Sequence, residues 1–371
     1  MKRVVWLPLL LLACESGAAT PQNQKPQKPG SAAVTADADP GTLDGAQLYT
    51  TFCTQCHGAD AKGYKADHAP SLVNPTFLES ASDTYLRTSI ERGRPGTSMA
   101  AYAKVVGGPL DSQAVERLTA WLRAQGSAPR ALAPVAMGDA AKGQPLYLQH
   151  CHKCHGDQAT RGEYLLLANP RFLEVASDEF IQHAILYGRP TTPMESFQKK
   201  LRVEDIADVV AYVRSLAKPV EIGHLPAPTG KEPLFVNPDG KPPSWKLKEG
   251  RYVAADDVKA ALDAKKKLVI IDARPESEWM TVHITGAVSI PHYQLKRLDE
   301  IPKDAWIVAY CACPHHLSGI VVDELQKRGY THATVLDEGI LEWQRRGYTI
   351  VAAPGAEKPP KEPELPKGTI R

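Results

Sequence analysis

The 371-residue chain has almost no excess of either charge: 44 Lys and Arg stand against 42 Asp and Glu, a net charge of +2. Without a basic surplus there is no electrostatic footprint for nucleic acid, and no nucleic-acid partner is expected. The apolar run Val4 to Ala13 is too short to span a bilayer as a mature helix. Methionine is scarce, at 5 residues, so a methionine that recurs at equivalent positions carries information. Cysteine numbers only 7, and each has another assignment, so no disulfide framework remains to be built.

Two short motifs dominate what is present. CTQCH runs from Cys53 to His57, and CHKCH from Cys151 to His155. Cys-x-x-Cys-His is the attachment pattern of c-type haem. Two thiols add across the two vinyl groups of one porphyrin, and the adjacent histidine lies beneath the iron as proximal ligand. Cys53, Cys56, Cys151 and Cys154 are therefore expected to hold two c-type haems, with His57 and His155 on the irons. The chemistry expected is one-electron transfer. A zinc site using the four cysteines, or a thioredoxin-like pair, is the alternative. Neither requires histidine directly after both pairs. Both copies also continue with glycine (Gly58, Gly156), and both follow Gly-x-x-x-Tyr, at Gly45 to Tyr49 and Gly143 to Tyr147.

The motifs belong to a long repeat. Leu72 to Tyr102 (LVNPTFLESASDTYLRTSIERGRPGTSMAAY) matches Leu166 to Phe197 (LLANPRFLEVASDEFIQHAILYGRPTTPMESF). The first cysteines are 98 apart (151 − 53) and Met99 and Met194 are 95 apart (194 − 99), so one net three-residue deletion separates the copies. Here the chain resembles class I cytochromes c in tandem, over about residues 43–126 and 137–217. That resemblance implies two all-α domains. Each copy carries Gly-Arg-Pro followed by methionine, at Arg94, Pro95 and Met99, then Arg189, Pro190 and Met194. In the family a methionine of such a loop reaches the distal face of the iron, and a thioether there raises the potential relative to bis-His ligation. The alternative is methionine as core filler. His68, His150, His152 and His183 compete as ligands, but none recurs in both copies.

Helical spacing places helices over Asp44 to Thr54, Gly143 to His150, Ser112 to Ala124 and Val203 to Leu216. In the family the first and last helices cross where a small residue allows close approach, a role that fits Gly45 and Gly143. Aromatic residues that pack near the haem would be Trp121 and Tyr212.

Residues 1–13 read as a signal peptide, with Lys2 and Arg3 before the apolar run. The run ends in LLAC, which resembles a bacterial lipobox. Cleavage before Cys14 would leave that thiol to carry lipid. An ordinary signal peptide with an incidental Cys14 is the alternative. The expected location is the bacterial cell envelope, lipid-anchored and facing the periplasm. Residues 14–42, rich in Pro, Gln, Lys and Ala, read as a flexible tether. Residues 218–250 read as a Pro-rich, semi-rigid linker, and 353–371 as a disordered tail.

Residues 251–352 alternate strand and helix patterns. KKLVIIDAR and WIVAYC read as buried parallel strands, and LSGIVVDELQKRGY as an amphipathic helix. IDARPESEW (Ile271 to Trp279), HITGAVSIP (His283 to Pro291), IVAYC (Ile307 to Cys311) and LDEGILEWQRRGY (Leu336 to Tyr348) resemble a rhodanese domain. The resemblance implies an α/β fold with a central parallel sheet and a sulfur-carrying thiol at Cys311. Asp272 and Arg274 match the family's structural DxR turn. A tight loop and the N-terminus of the following helix would cradle an anion at that sulfur and stabilise a persulfide. A buried inert cysteine is the alternative.

The loop CACPHHLSG, Cys311 to Gly319, departs from the family pattern. The usual Gly and Arg are absent, which weakens thiosulfate as the donor, because a guanidinium pairs well with an oxyanion. Cys313 could resolve a Cys311 persulfide, and His315 or His316 could supply charge or accept protons. A metal held by the CxC and His pair would have poor tetrahedral geometry. Glu338, where the family often has Gly, is expected to affect only a turn.

The expectation is a membrane-tethered dihaem electron-transfer protein whose rhodanese domain handles sulfane sulfur. Its partners would be a redox protein or respiratory-chain component and a small sulfur-containing substrate. The alternative is a pure electron carrier whose rhodanese-like domain is a non-catalytic docking or redox-sensing module. A third reading has two independent activities sharing one tether.

Overall fold

The computed structural model describes residues 36–361 apart from 65, 219–221, 313–314, 357 and 359–360. Cys14 with the expected signal peptide, and Cys313, lie outside the described residues. Among the described residues no helix is long and apolar enough to cross a membrane.

A first helical unit holds α1 (Gly45–Phe52), α2 (Thr54–His57), α3 (Pro75–Ser80), α4 (Asp83–Arg92) and α5 (Ser112–Arg123). The second repeats it with α6 (Ala140–His150), α7 (His152–His155), α8 (Pro170–Val175), α9 (Asp178–Tyr187) and α10 (Val203–Ser215). The repeated sequence repeats its helix starts. Asn74 and Asn169 cap α3 and α8 with proline at the first turn, and Ser82 and Ser177 cap α4 and α9. The closing helices are tied down alike. Arg123 donates to Leu78 O at 2.6 Å and pairs with Asp83, while Arg214 donates to Leu173 O at 2.6 Å and pairs with Asp178.

First and last helices of each unit cross at glycine, as expected. A Cβ on Gly45 would stand 2.5 Å from Trp121 Cβ, and one on Gly143 1.9 Å from Asp208 O. A Cβ on Gly45 would also meet Arg117 O at 2.6 Å, so both crossings are closed to a side chain by backbone.

The two units meet across a reciprocal seam. Asn74 Nδ2 donates to Pro190 O at 2.7 Å, and Asn169 Nδ2 donates to Pro95 O at 3.0 Å. Each asparagine thus caps its own helix with its oxygen and holds the other unit's Gly-Arg-Pro loop with its nitrogen. Tyr85 and Phe180 stack between them, centroids 4.7 Å apart.

The α/β unit follows. It contains β1 (Tyr252–Val253), α11 (Ala255–Asp263), β2 (Val269–Asp272), α12 (Glu276–Trp279), β3 (Val282–Ile284), β4 (Val288–Ser289), β5 (Ile307–Tyr310), α13 (Leu317–Lys327), β6 (Ala333–Leu336), α14 (Gly339–Arg345) and β7 (Ile350–Ala352). Five strands form a parallel sheet in the order β1-β6-β5-β2-β4, and β3 pairs antiparallel with β7. β2, β5 and β6 are buried along their whole length, as continuous apolar strands covered on both faces should be.

Segments expected to be loose are partly tied to this unit. Asp37 N donates to Tyr293 O at 2.7 Å, and its carboxylate accepts from Lys296 N at 3.0 Å. In the Pro-rich stretch, Leu234 and Phe235 pack on one face of the sheet and Trp245 and Leu247 on the other. Apolar residues spaced among the prolines make it a strap. In the tail, Ala353 N donates to Thr281 O at 2.8 Å, and Lys361 O accepts from Arg161 N at 2.7 Å.

Candidate functional site

In both helical units the first helix ends at the first motif cysteine, which caps the one-turn helix carrying the rest of the motif. The tyrosine four residues earlier locks the turn: Tyr49 OH donates to Gly58 O at 2.6 Å and Tyr147 OH to Gly156 O at 2.6 Å. His57 Nδ1 donates to Pro70 O at 2.8 Å and His155 Nδ1 to Leu165 O at 2.8 Å. A proton held at Nδ1 leaves Nε2 as a lone pair, the form that ligates a metal. Burial pushes both imidazoles below their ordinary pKa, so both are neutral at pH 7.

Met99 and Met194 occupy matching hairpins. Arg94 N donates to Met99 O and Arg189 N to Met194 O, both at 2.7 Å. Both side chains pack against their own unit's core. The four competing histidines are engaged elsewhere. His68 lies edge-on to Tyr164 and His150 to Phe197, His152 meets Asp157 at 3.2 Å, and His183 meets Glu79 at 3.1 Å.

The donor set fits c-type haem better than zinc. Burial pushes the Cys53 and Cys151 thiols up to about 12. Among the described residues, no three His, Cys, Asp or Glu side chains gather for a metal. Buried Trp121 Nε1 and Ser98 Oγ have no partner among the described residues. Such orphans in a haem-binding unit suit the acceptor carboxylates of a porphyrin.

In the α/β unit, Cys311 is buried at the end of β5, with Sγ 3.3 Å from Ser318 Oγ in the first turn of α13. The first turn of α13 therefore lies beside the sulfur. α14 closes the opposite side: Ile340 N donates to Cys311 O at 3.0 Å. Gly339 sits there at φ 70°, and a Cβ on it would come 2.9 Å from Cys311 O. The left-handed glycine thus falls at 339, and Glu338 does more than fill a turn. Its carboxylate accepts from Ala255 N at 2.8 Å and pairs with Arg346 at 3.1 Å.

His315 is fixed on the loop rim. It stands at φ 72°, a costly conformation for a residue with a Cβ. Its Nε2 meets Asp337 Oδ1 at 2.6 Å, and its ring stacks on Tyr252 with centroids 3.8 Å apart. His316 is half-buried beside the start of α13. Asp272 and Arg274 are structural, as expected. Arg274 forks onto Asp272 at 2.9 and 2.7 Å and donates to Val282 O at 2.6 Å, joining β2 to β3.

Sequence reasoning missed Ser318, Asp337 and Tyr252 around the sulfur. It also missed the seam asparagines, although Asn-Pro in both copies was the available signal. Nothing in the repeat marked His292, which lies between the first helical unit and the α/β unit.

A profile described as cytochrome c oxidase, cbb3-type, subunit III matches residues 40–122 and 138–213, and one described as a rhodanese-like domain matches 254–346. The cytochrome bc1 complex cytochrome c subunit of Mycobacterium leprae is 26% identical, covering 60% of this chain and 79% of that protein. Its Corynebacterium diphtheriae counterpart is 27% identical, covering 50% and 71%. The probable adenylyltransferase/sulfurtransferase MoeZ of Mycobacterium tuberculosis is 31% identical over 26% of each chain. The chain is thus a helical cytochrome c region followed by a rhodanese-like α/β domain with a central parallel sheet.

Proposed function

We propose that this chain carries two c-type haems and passes electrons from reduced sulfur, handled at Cys311, toward a respiratory-chain partner. The observation that carries the reading is the direct seating of the first helical unit on the rhodanese-like domain, where Ser277 Oγ donates to Ala101 O at 2.5 Å. Two independent activities sharing a tether would not need such a joint. A respiratory partner is the kind that the bc1-complex relatives suggest.

Cys53, Cys56, Cys151 and Cys154 would attach the haems, and His57, His155, Met99 and Met194 would ligate the irons. When bound, the haems supply one-electron redox chemistry. The chain's part is to orient both imidazoles through the Pro70 and Leu165 carbonyls and to keep them neutral.

At Cys311 the thiolate attacks the outer sulfur of a persulfide or polysulfide, R–S–SH. The S–S bond of the donor breaks, Cys311–S–SH forms, and R–S⁻ leaves, a redox-neutral transfer; the electrons that the chain passes on come from two such R–S⁻ coupling to R–S–S–R, which releases two electrons. The first turn of α13 and Ser318 hold the anionic sulfur. Cys313 is the secondary thiol. His315, oriented by Asp337, exchanges protons at the rim, with His316 beside it. The missing loop arginine favours sulfane donors over the oxyanion thiosulfate. Cys14 carries lipid, so the protein faces the periplasm from a bacterial membrane.

Anaerobic mixing with polysulfide, followed by peptide mass spectrometry and the haem spectrum, tests this. Added sulfur on Cys311 together with haem reduction is expected. Sulfur loading without haem reduction leaves two separate activities. Neither sulfur loading nor haem reduction leaves an electron carrier with a docking module.

A further inference from the structure

Four contacts join the sulfur site to the first haem motif without a gap. Ala273 N donates to Tyr310 O at 3.0 Å, on the peptide preceding Cys311. His292 N donates to Ala273 O at 3.0 Å, and His292 Nδ1 lies 3.3 Å from the same oxygen. His292 Nε2 lies 3.1 Å from Thr51 O. Thr51 is two residues before Cys53, near the end of α1, where carbonyls need partners outside the helix.

Nothing about this junction is incidental surface contact. His292 is fully buried, and Thr51 and Phe52 are nearly so. Phe52 packs edge-on to Tyr293 with centroids 5.2 Å apart. Ser277 reaches Ala101, two residues after Met99. The rhodanese-like domain therefore touches the first unit both beside its haem motif and beside its Met loop.

The imidazole is a two-state element. Burial holds it down to a pKa of about 4, so it is neutral and carries one ring proton. That proton serves either Thr51 O or Ala273 O, never both. The ring's contact with Thr51 O is the shorter of the two, 3.1 Å against 3.3 Å, which makes Thr51 O the favoured partner. A displacement at the end of β2 changes this balance, and with it the hold on the end of α1. Coupling of this kind needs a discrete element that both sites bias, and the ring supplies it.

We propose that His292 is a positioning residue that couples the chemical state of the Cys311 sulfur to the first haem unit, and not to the second. This rests on the reading of Cys53 and Cys311 given above. Among the described residues the second unit has no imidazole bridge of this kind; it meets the tail instead, where Arg161 N donates to Lys361 O at 2.7 Å. Its Ser196, equivalent to Ala101, is exposed and bonds back to Leu186 O of its own unit at 2.5 Å. By linkage the effect is reciprocal: what the sulfur does to the haem, the haem does to the sulfur.

The test uses the full haem-loaded chain, with Cys311 either alkylated by iodoacetamide or loaded with polysulfide, each state verified by peptide mass spectrometry. Spectroelectrochemical midpoints and backbone hydrogen exchange are then read in both states. Modification is expected to shift the first haem's midpoint and the exchange of residues 50–57, leaving residues 148–155 unchanged. In His292→Gln and His292→Asn both responses should be lost while Cys311 is still modified. Ser277→Ala, which removes a neighbouring cross-domain bond, should keep them. If the wild type shows no first-haem shift, if both units respond alike, or if the His292 variants respond as the wild type does, the coupling is overturned. If polysulfide leaves no sulfur on Cys311 yet alkylation gives the shift, the sulfur reading fails and the coupling stands. Should a variant not fold, the wild-type exchange contrast between 50–57 and 148–155 still decides.

Discussion

In the first helical unit, Thr51 and Phe52 are buried against His292 and Tyr293. In the second, the equivalent Gln149 is exposed, and His150 turns back onto Phe197 of its own unit with ring centroids 5.9 Å apart. Neighbouring Leu148 is 53% exposed. The two copies share caps, a tyrosine lock, a proximal histidine bond and a Met hairpin. They differ in what covers the face beside the haem motif. The first has given that face to the rhodanese-like domain, and the second keeps it open to solvent. Repetition therefore fixed each unit's interior, while a few unrepeated residues decided its neighbours.

The largest effect that separates the units is at the methionines. Met99→Ala should lower the potential of the first haem alone, and Met194→Ala that of the second alone. The shift should be a sizeable part of the roughly 0.8 V range that axial ligands govern. Loss of one Met–Fe charge-transfer band per variant is the measurement. If neither band disappears, the axial assignment is wrong for both.

His292 should matter to stability only through the first unit. His292→Ala removes the ring's bond to Thr51 O and leaves a cavity, at a cost of about 2–4 kcal/mol in denaturant unfolding. Acid should expose the same residue. Its folded pKa is about 4 against an ordinary 6.5. Between those values the unfolded chain binds a proton that the folded chain refuses, so stability is full above pH 6.5 and falls as pH drops toward 4. The loss amounts to roughly 3 kcal/mol at most. His57 and His155 lose stability in the same direction, so the comparison must be wild type against His292→Gln. The variant should lack this share of the acid sensitivity, and equal slopes from pH 6.5 to 4 would contradict it.

What the sequence revealed follows this division. Motif spacing exposed Cys53 to His57 and Cys151 to His155 because a porphyrin imposes that spacing on any chain. Helical periodicity located the crossing helices to within one to three residues. The strands β2 and β5 stood out because strands buried on both faces are continuous apolar runs. His292 was invisible for the opposite reason. It sits in a loop with no periodicity, and its partners are backbone carbonyls, which any residue supplies. The packing of the Pro-rich linker against the sheet was not legible because proline content masks a few well-placed apolar side chains, Leu234, Phe235, Trp245 and Leu247. Asp337 and Tyr252 come to His315 from β6 and β1, across the sheet, and no local pattern announces such a meeting.

The seam should show a smaller effect, equal from both sides. Asn74→Ala and Asn169→Ala each remove a helix cap and a bond to the other unit's Gly-Arg-Pro loop. Each should cost about 1–2 kcal/mol. Asn→Asp keeps the capping oxygen but loses the donor, so its remaining deficit measures the seam contact itself. A deficit in one unit only would mean that the seam is not reciprocal.

The smallest effect expected is at Arg92 and Glu174, which face each other across the same seam at 2.9 Å. Their side chains are 50% and 42% exposed, so water screens the pair and both long chains lose freedom by meeting. Glu174 also has Arg171 at 2.7 Å within its own unit, so the loss of Arg92 leaves it partnered. A double-mutant cycle on Arg92→Ala and Glu174→Ala should therefore give a coupling of about 0.5 kcal/mol or less, shrinking further in high salt. The buried asparagines, not this visible ion pair, would then hold the two units in register. A coupling as large as that of Asn74 would reverse the ranking and make the seam an electrostatic one.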